Sequence, residues 1–546
     1  MIHKNIKKIF SVVILSTALS SCNFLDIDNP TYVTDEFYNT YDGQKALITD
    51  IYSRFRGLYN TGELQYYGTD IYMAITESPN EKMFNGYDKT FNSTAGVVGP
   101  YWQNLYKIVQ ESNTLINRCS PEETGKDYDR FVANGLFFRS LAYYYLVETF
   151  GSVPFYTEEQ TEVITSATRE SEEKIYSTII QDLESIKDIL PMKAEKKGEI
   201  SKAAVLQLLG KCYLTRAYKS YSLATDFSDA AECFEEIIND PNKTYYMLPK
   251  FSDVFDENNQ GNSEIIWAIQ YGEDKMYAGS GNPQQALFGF NITAVLPQWY
   301  DKIQEDYSFM QRGYWVNPAV HEWFVDPIID SRYDATFVRE FYVNNSSSED
   351  NGKLGLYFPR WNETDDQGAL KCIQFYNEDG GYNWYPQSTA LAVLEQGSDF
   401  MPMIRKFKDT KMTWGGPGTR EDIVMRVADT YLLCAEAYLG AGSNDMALKY
   451  INDVRKRAAT SESYEEDMTI STVDIDIILD ERARELLGEH DRWFDLKRTG
   501  KLIERAKKYN IFVQKYDNIN QNHLLRPIPY DETSKVDGLE QNEGYM

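Results

Sequence analysis

Histidine and cysteine are both scarce in this chain, at four and six of 546 residues. His321, His490 and His523 stand far apart, and none belongs to an HExxH or a His-Cys cluster, so metal- or histidine-based catalysis has little material. Cys119, Cys212, Cys233, Cys372 and Cys434 are scattered without a CxxC pair, which supports neither a disulfide framework nor a zinc site. Cys212 and Cys434 fall in apolar helical runs, where cysteine acts as a small hydrophobe. No GxSxG elbow, Walker loop or dinucleotide glycine pattern stands out. The stretch "WGGPGTR" at 414–420 lacks the lysine of a phosphate cradle and reads as a turn. No cofactor is implied. Basic residues are outnumbered 55 to 83 by acidic ones, giving a formal charge of -28. Nucleic acid needs a basic footprint and is excluded as a partner. No Gly/Ser-rich or Pro-rich linker divides the chain, which favours one large continuous unit.

Aromatic residues, by contrast, are abundant at 14%, with 41 tyrosines and 9 tryptophans, and must be either core or binding surface. The N-terminus is equally distinctive. Lys4, Lys7 and Lys8 precede an apolar run from Ile9 to Leu19, and "LSSC" closes it at Cys22. The run has the length of a signal-peptide h-region and is too short to span a bilayer as a mature helix. "LSSC" resembles a lipobox, at which cleavage before cysteine leaves a lipid-modified Cys22 as the first residue. An ordinary secretory leader that happens to carry a cysteine is the plainer alternative. Several acyl chains together make a stable anchor where one is marginal. Removing residues 1–21, with three lysines and no acids, leaves a charge of -31 on 525 residues.

Apolar residues at helical spacing predict helices over about 101–118, 129–150, 169–190, 201–220, 228–239, 421–441, 443–459, 474–488 and 492–509. The middle, about 241–420, lacks this rhythm and carries Gly, Pro, Asn and aromatic clusters that read as loops with short strands. The expected organisation is a leader over 1–21 and a single unit over 22–546. Within that unit, a helical part to about 240 and another over 421–546 flank the loop-rich insert. Two helical pairs, 201–241 and 428–459, resemble tetratricopeptide units. Small residues at Gly210 and Ala435 admit close helix approach, Tyr213 and Tyr438 fill the groove, and Ala230 and Ala447 lie on the second helices. Such units cannot bury a face alone and should stack into one block.

The remaining motifs carry a family resemblance over essentially the whole chain. They are "RFVANGLFFRSLAYYYLVETFGSVPF", "DSRYDATF", "MRVADTYLLCAEAYL", "ERARELLGEHDRWFDLKR" and the closing "LLRPIPYDETSKVDGLEQNEGY". In this order they resemble the SusD/RagB family of outer-membrane nutrient-binding lipoproteins. Glu543 stands where a proline is common, and Asp537 near a usual Asn-Pro, which loosens the C-terminal match. The resemblance implies a mainly α fold of tetratricopeptide-like pairs supporting a loop-rich insert. It also implies a lipid-anchored, surface-exposed protein of the outer membrane that delivers oligosaccharides, or in some members peptides, to a TonB-dependent SusC-like transporter.

Glu481, Glu485 and Glu489 recur every fourth residue and would share a helix face, at a separation a retaining glycosidase could use. Interleaved Arg482, Arg484, Arg492 and Arg498 offer a simpler reading, charge pairs bracing a helix-to-turn junction, and the chain is read as no enzyme. Sugar rings need aromatic faces flanked by amides and charged groups, in a largely preformed cleft. Loop aromatics are better candidates than helical ones such as Tyr143–Tyr145. The candidate ligand residues are Phe84, Tyr87, Phe91 and Asn92, before the helix near Trp102, and Tyr277, Trp299, Tyr300 and Trp315 in the insert. The leading reading is a non-catalytic oligosaccharide-binding lipoprotein. A peptide-binding lid of the same family and an anchored glycan hydrolase are the alternatives.

Overall fold

The computed structural model describes residues 35–59, 62–74, 79–272, 281–289, 314–342, 346–347, 351–352, 354–357, 360, 403–412 and 418–545. The N-terminal helices are α1 (Tyr41–Tyr59), α2 (Pro79–Gly86), α3 (Val98–Arg118), α4 (Tyr128–Phe150), α5 (Glu172–Ile186), α6 (Lys202–Ala217) and α7 (Asp226–Ile238). After the insert come α8 (Val427–Gly440), α9 (Asn444–Arg457), α10 (Ile475–Glu485), α11 (Arg492–Arg498), α12 (Leu502–Tyr509) and α13 (Ile511–Tyr516). Side chains start several of them. The Ser171, Ser201 and Asp474 oxygens accept from the Lys174, Ala204 and Ile477 N–H groups, taking up amide donors left free in the first turn.

The helices pack as successive antiparallel neighbours: α1 on α3, α3 on α4, and so on through α7. The series continues across the insert, because α7 packs on α8 and α8 on α9. In α3, Val98, Tyr101, Leu105, Ile108, Ser112 and Leu115 recur three or four apart and are buried. α4 is buried on nearly every face, as befits a helix with neighbours all round. Where α6 crosses α7, a Cβ on Gly210 would lie 2.6 Å from the Phe234 ring, so the crossing requires a residue without one. Tyr438 and Tyr450 stack between α8 and α9 at 5.8 Å and 11°.

Much of the aromatic excess is core. Tyr143, Tyr144 and Tyr145 are all buried, and Phe55, Phe137 and Phe138 surround the Trp267 ring at 5.8–5.9 Å. Among the described residues, no helix is long and apolar enough to cross a membrane.

The described strands are short: β1 (Tyr72–Ala74), β2 (Ile265–Ile269), β3 (Tyr314–Val316), β4 (Phe337–Val338), β5 (Glu340–Tyr342), β6 (Leu354–Tyr357), β7 (Met403–Ile404) and β8 (Asp422–Arg426). They form four antiparallel pairs, β1 with β3, β2 with β8, β4 with β7 and β5 with β6. The β2–β8 pair brings the two flanks of the insert together. It also corrects the helix expected over 421–441, whose first residues are the strand Asp422–Arg426, with helix only from Val427. The helix expected over 492–509 is likewise two, α11 and α12, parted at Gly500 with φ +71°.

Candidate functional site

Two segments distant in sequence meet after α2 and after α13. Asn518 at the end of α13 donates its amide to the Gly86 carbonyl at 2.8 Å, tying them together. The first segment turns at Tyr87, whose φ of +46° is unusual for a residue with a side chain. Tyr87 Oη donates to the Gly68 carbonyl at 2.9 Å, and a Cβ on Gly68 would overlap the Tyr87 ring. Two side-chain turns follow. Asp88 Oδ1 accepts from the Thr90 N–H at 2.8 Å, and Asn92 Oδ1 accepts from the Thr94 N–H at 2.9 Å.

The second segment holds asparagine at every other position, 518, 520 and 522. Asn520 Oδ1 accepts from the Asn522 N–H, and its own N–H donates to His523 Nδ1 at 3.0 Å, closing a capping box. The chain end completes the site. Gln541 bonds the Ile528 backbone in both directions, at 2.7 and 2.6 Å. Asn542 Nδ2 donates to the Phe150 and Arg526 carbonyls at 2.9 and 2.8 Å, and Asn542 Oδ1 accepts from Arg169 at 2.6 Å. Gly544 then turns with φ +86°, where a Cβ would strike Asn522, and Tyr545 Oη donates to the Leu525 carbonyl at 2.9 Å. The "QNEGY" motif is therefore a set of clips. Glu543, the departure from the family pattern, is exposed.

Between these segments lies a cleft of about 650 Å³ lined by Tyr87, Asp88, Lys89, Phe91, Asn92, Asn518, Asn520, Asn522, His523, Gly544 and Tyr545. Its aromatic wall is continuous. His523 lies edge-on to Tyr87 at 5.0 Å and to Tyr545 at 6.1 Å, and Phe91 meets Tyr545 at 6.1 Å. Burial, then the nearby Arg526 charge, lowers the His523 pKa to about 4, so the imidazole is neutral at pH 7. Asn522's side-chain amide has no hydrogen-bond partner among the described residues. The arrangement brings aromatic rings and amide groups together in one cleft. Two other hollows are less suited to a hydroxyl-rich ligand. One of about 330 Å³ is walled by Trp102, Tyr106, Tyr156, Ile164 and Leu539. The other, of about 610 Å³, is edged by Asp35, Asp50, Glu111 and Glu159, whose carboxylates Arg54 and Arg118 already hold.

Of the residues expected from sequence, Tyr87, Phe91 and Asn92 line the cleft. Phe84 is buried one layer deeper, 4.9 Å from Phe91 and 5.4 Å from Tyr67. Trp315 lies elsewhere, buried in β3 against Met73 and Phe512. Tyr277, Trp299, Tyr300 and Cys22 fall outside the described residues. Sequence reasoning overlooked Asn518, Asn520, Asn522, His523 and Tyr545. The alternating asparagines of "DNINQNH" were a legible signal of polar turn chemistry, and of them only Asn522 keeps its side-chain amide free for a ligand.

The three glutamates of the α10 region line none of these hollows. Glu481, Glu485 and Glu489 are buried, and guanidinium or ammonium groups hold each one. Arg332, Arg455 and Arg484 reach Glu481 at 2.5–2.6 Å; Arg426 reaches Glu485 and Glu489 at 2.8 and 2.6 Å; Lys406 reaches Glu489 at 2.9 Å. Burial alone would raise the Glu485 pKa, but Arg457, Arg426 and Arg332 outweigh it and hold the carboxyl at about 2. Asp495 of α11 is likewise shared by Arg482 at 2.7 Å and Arg498 at 2.9 Å. A general acid needs the opposite shift, toward neutral pH.

The sequence matches the model of the SusD family over residues 263–545 and a second one, described as "Starch-binding associating with outer membrane", over 23–214. It is 26% identical to the SusD-like protein P25 of Formosa agariphila, covering 96% of each chain. It is 25% identical to the starch-binding protein SusD of Bacteroides thetaiotaomicron, covering 75% of this chain and 72% of that one. A solved laminarin-binding SusD-like protein superposes with a TM-score of 0.66 at 22% identity, covering 93% of this chain and all of the other. With one family model spanning more than half of its length, the chain belongs to the SusD family.

Proposed function

We propose that the protein is a non-catalytic oligosaccharide-binding component of the outer membrane, which hands its cargo to a TonB-dependent transporter of the SusC type. The observation that carries this reading is the cleft of about 650 Å³, whose lining brings the rings of Phe91, His523 and Tyr545 together with the unpaired Asn522 amide in a space that accommodates a short glycan. Pyranose C–H faces pack on rings such as His523 and Tyr545, and Asn522 takes the hydroxyls. The starch-binding and laminarin-binding relatives support a glycan as cargo, and the family description supports association with the outer membrane. Lipid attachment at Cys22 is the proposed means, with the segment after it acting as a tether. Engagement of Glu481, Glu485 and Glu489 by arginines supports binding without hydrolysis.

The test is a glycan array screened with the full chain in detergent, beside Tyr545→Ala and Asn522→Ala variants. Binding to one glycan class that both variants weaken about tenfold, with no new reducing ends released, is the expected result; truncating a contact in a desolvated pocket costs this much. Peptide binding with no glycan signal would replace the cargo, and turnover of a bound glycan would defeat the non-catalytic reading.

A further inference from the structure

Arg526 lies one ring-layer beneath the cleft. It is fully buried, and its guanidinium carbon stands 5.1 Å from the centre of the Phe91 ring, 6.0 Å from Tyr87 and 4.5 Å from Trp493. Phe91 and Tyr87 are themselves wall residues of the cleft. Nη2 donates to the Leu64 carbonyl at 3.0 Å, whereas Nε and Nη1 have no hydrogen-bond partner. Among the described residues, no carboxylate pairs with it. This sets Arg526 apart from Arg332, Arg426, Arg482, Arg498 and Arg505, buried arginines that each hold at least two carboxylates. Ring faces stabilise a guanidinium without neutralising it, and arginine does not lose its proton in proteins. At the rim, Lys89 is exposed and has no ion-pair partner among the described residues, while the Asp88 carboxylate is occupied by Thr90. Asp88 keeps its negative charge beside Lys89, and Glu543 stands exposed next to Gly544, so the buried Arg526 is the positive charge at the cleft that no carboxylate among the described residues pairs with.

We infer that the cleft selects anionic glycans, those carrying carboxylate or sulfate groups, and that Arg526 supplies the selectivity through the aromatic wall while Lys89 adds to it at the rim. This rests on the reading that the cleft is the glycan site. A buried charge acts across a low-dielectric layer with little screening, whereas a rim lysine is screened within about a Debye length, roughly 10 Å at 0.1 M salt. An anion seated beside Asn522 would meet amide donors in front and the Arg526 field behind.

The experiment uses matched pairs on an array: uronate oligosaccharides with their carboxyl-reduced forms, and sulfated ones with their desulfated forms, probed with the full chain in detergent. The acidic member is expected to bind about tenfold tighter, and part of the preference to survive about 0.5 M sodium chloride, where rim charges are screened. Uronate and sulfate pairs show which anion is preferred. Arg526→Met should abolish the salt-resistant part and Lys89→Glu the salt-sensitive part. If Arg526→Met does not fold, the salt series on the native chain and on Lys89→Glu decides the matter. A preference lost completely in high salt overturns the role of Arg526. Equal binding within pairs, still weakened by Tyr545→Ala, overturns the selectivity and leaves the glycan site standing. No glycan binding sensitive to Tyr545→Ala overturns both.

Discussion

Arg426 touches Glu264, Glu485 and Glu489 at once, at 2.9, 2.8 and 2.6 Å, and so joins β8 to the end of α10 and to the turn after it. A charge so deeply buried is costly unless paired, so removing one partner does more harm than the pair's own worth. Glu485 makes the consequence measurable. Its folded pKa of about 2 lies below its ordinary value of 4.5, so its stabilisation is complete above pH 4.5 and is lost as pH falls from 4.5 toward 2. By linkage this amounts to ~3 kcal/mol. Glu485→Gln should therefore cost ~3 kcal/mol or more at pH 7 in urea denaturation and progressively less toward pH 3. A cost independent of pH between 7 and 3 would show that Glu485 does not titrate with folding. These residues were legible in part: the alternating Glu and Arg of "ERARELLGEHDRWFDLKR" announced ion pairing. The partners Arg332, Arg426 and Glu264 were not, because they arrive from segments that only the fold brings near.

At the level of elements, legibility followed locality. α3, α4, α6 and α7 were readable because each buries a stripe or a whole face set by its own period. α1 went unread although Leu47, Ile51, Phe55 and Leu58 stand four, four and three apart, because Gly43 and Gly57 dilute its pattern. Asp422–Arg426 was read as helix because Ile423, Val424 and Met425 run on into the apolar residues of α8; its strand partner, Ile265–Ile269, is invisible to any local pattern. The same limit separates Trp315 from Tyr87. Both are aromatics in loop-like sequence, yet one is paired into β3 and packed on Phe512, while the other borders the cleft. The tetratricopeptide-like reading had a sharper basis, the small residue at 210, and the crossing of α6 and α7 tests it. Gly210→Leu puts a side chain where the Phe234 ring lies, and overpacking of this kind costs typically 1–3 kcal/mol. The thermal midpoint should drop by about 1–3 °C. Phe234→Ala in the same chain should recover part of that loss, since it vacates the space that the leucine needs, and an additive double mutant would show that the two sites do not meet.

Across the whole molecule, the cleft is built where residues 87–92 meet 518–523 and 544–545, so its shape depends in part on how firmly the segment 541–545 is clipped. Asn542 is the main clip. It bonds Phe150 at the end of α4, Arg169 before α5 and the Arg526 backbone, three places otherwise far apart in sequence. Its side chain is buried and does not line the cleft. Asn542→Ala breaks all three bonds and leaves the Arg526 carbonyl unpaired, while Phe150 keeps only its longer bond from Arg169, at about 1–3 kcal/mol. Because the tail can detach without unfolding the helices, part of this cost should appear as local opening. Hydrogen exchange is expected to rise in 538–545 and in the facing 87–97 loop while α4 and α6 stay protected, and glycan affinity should fall without any change at a ligand-facing atom. Saturating ligand should restore protection in both segments of the variant, since a ligand bound to the ordered cleft stabilises it by mass action. Faster exchange spread evenly over the helices would instead make Asn542 a residue of global stability, with no special tie to the cleft.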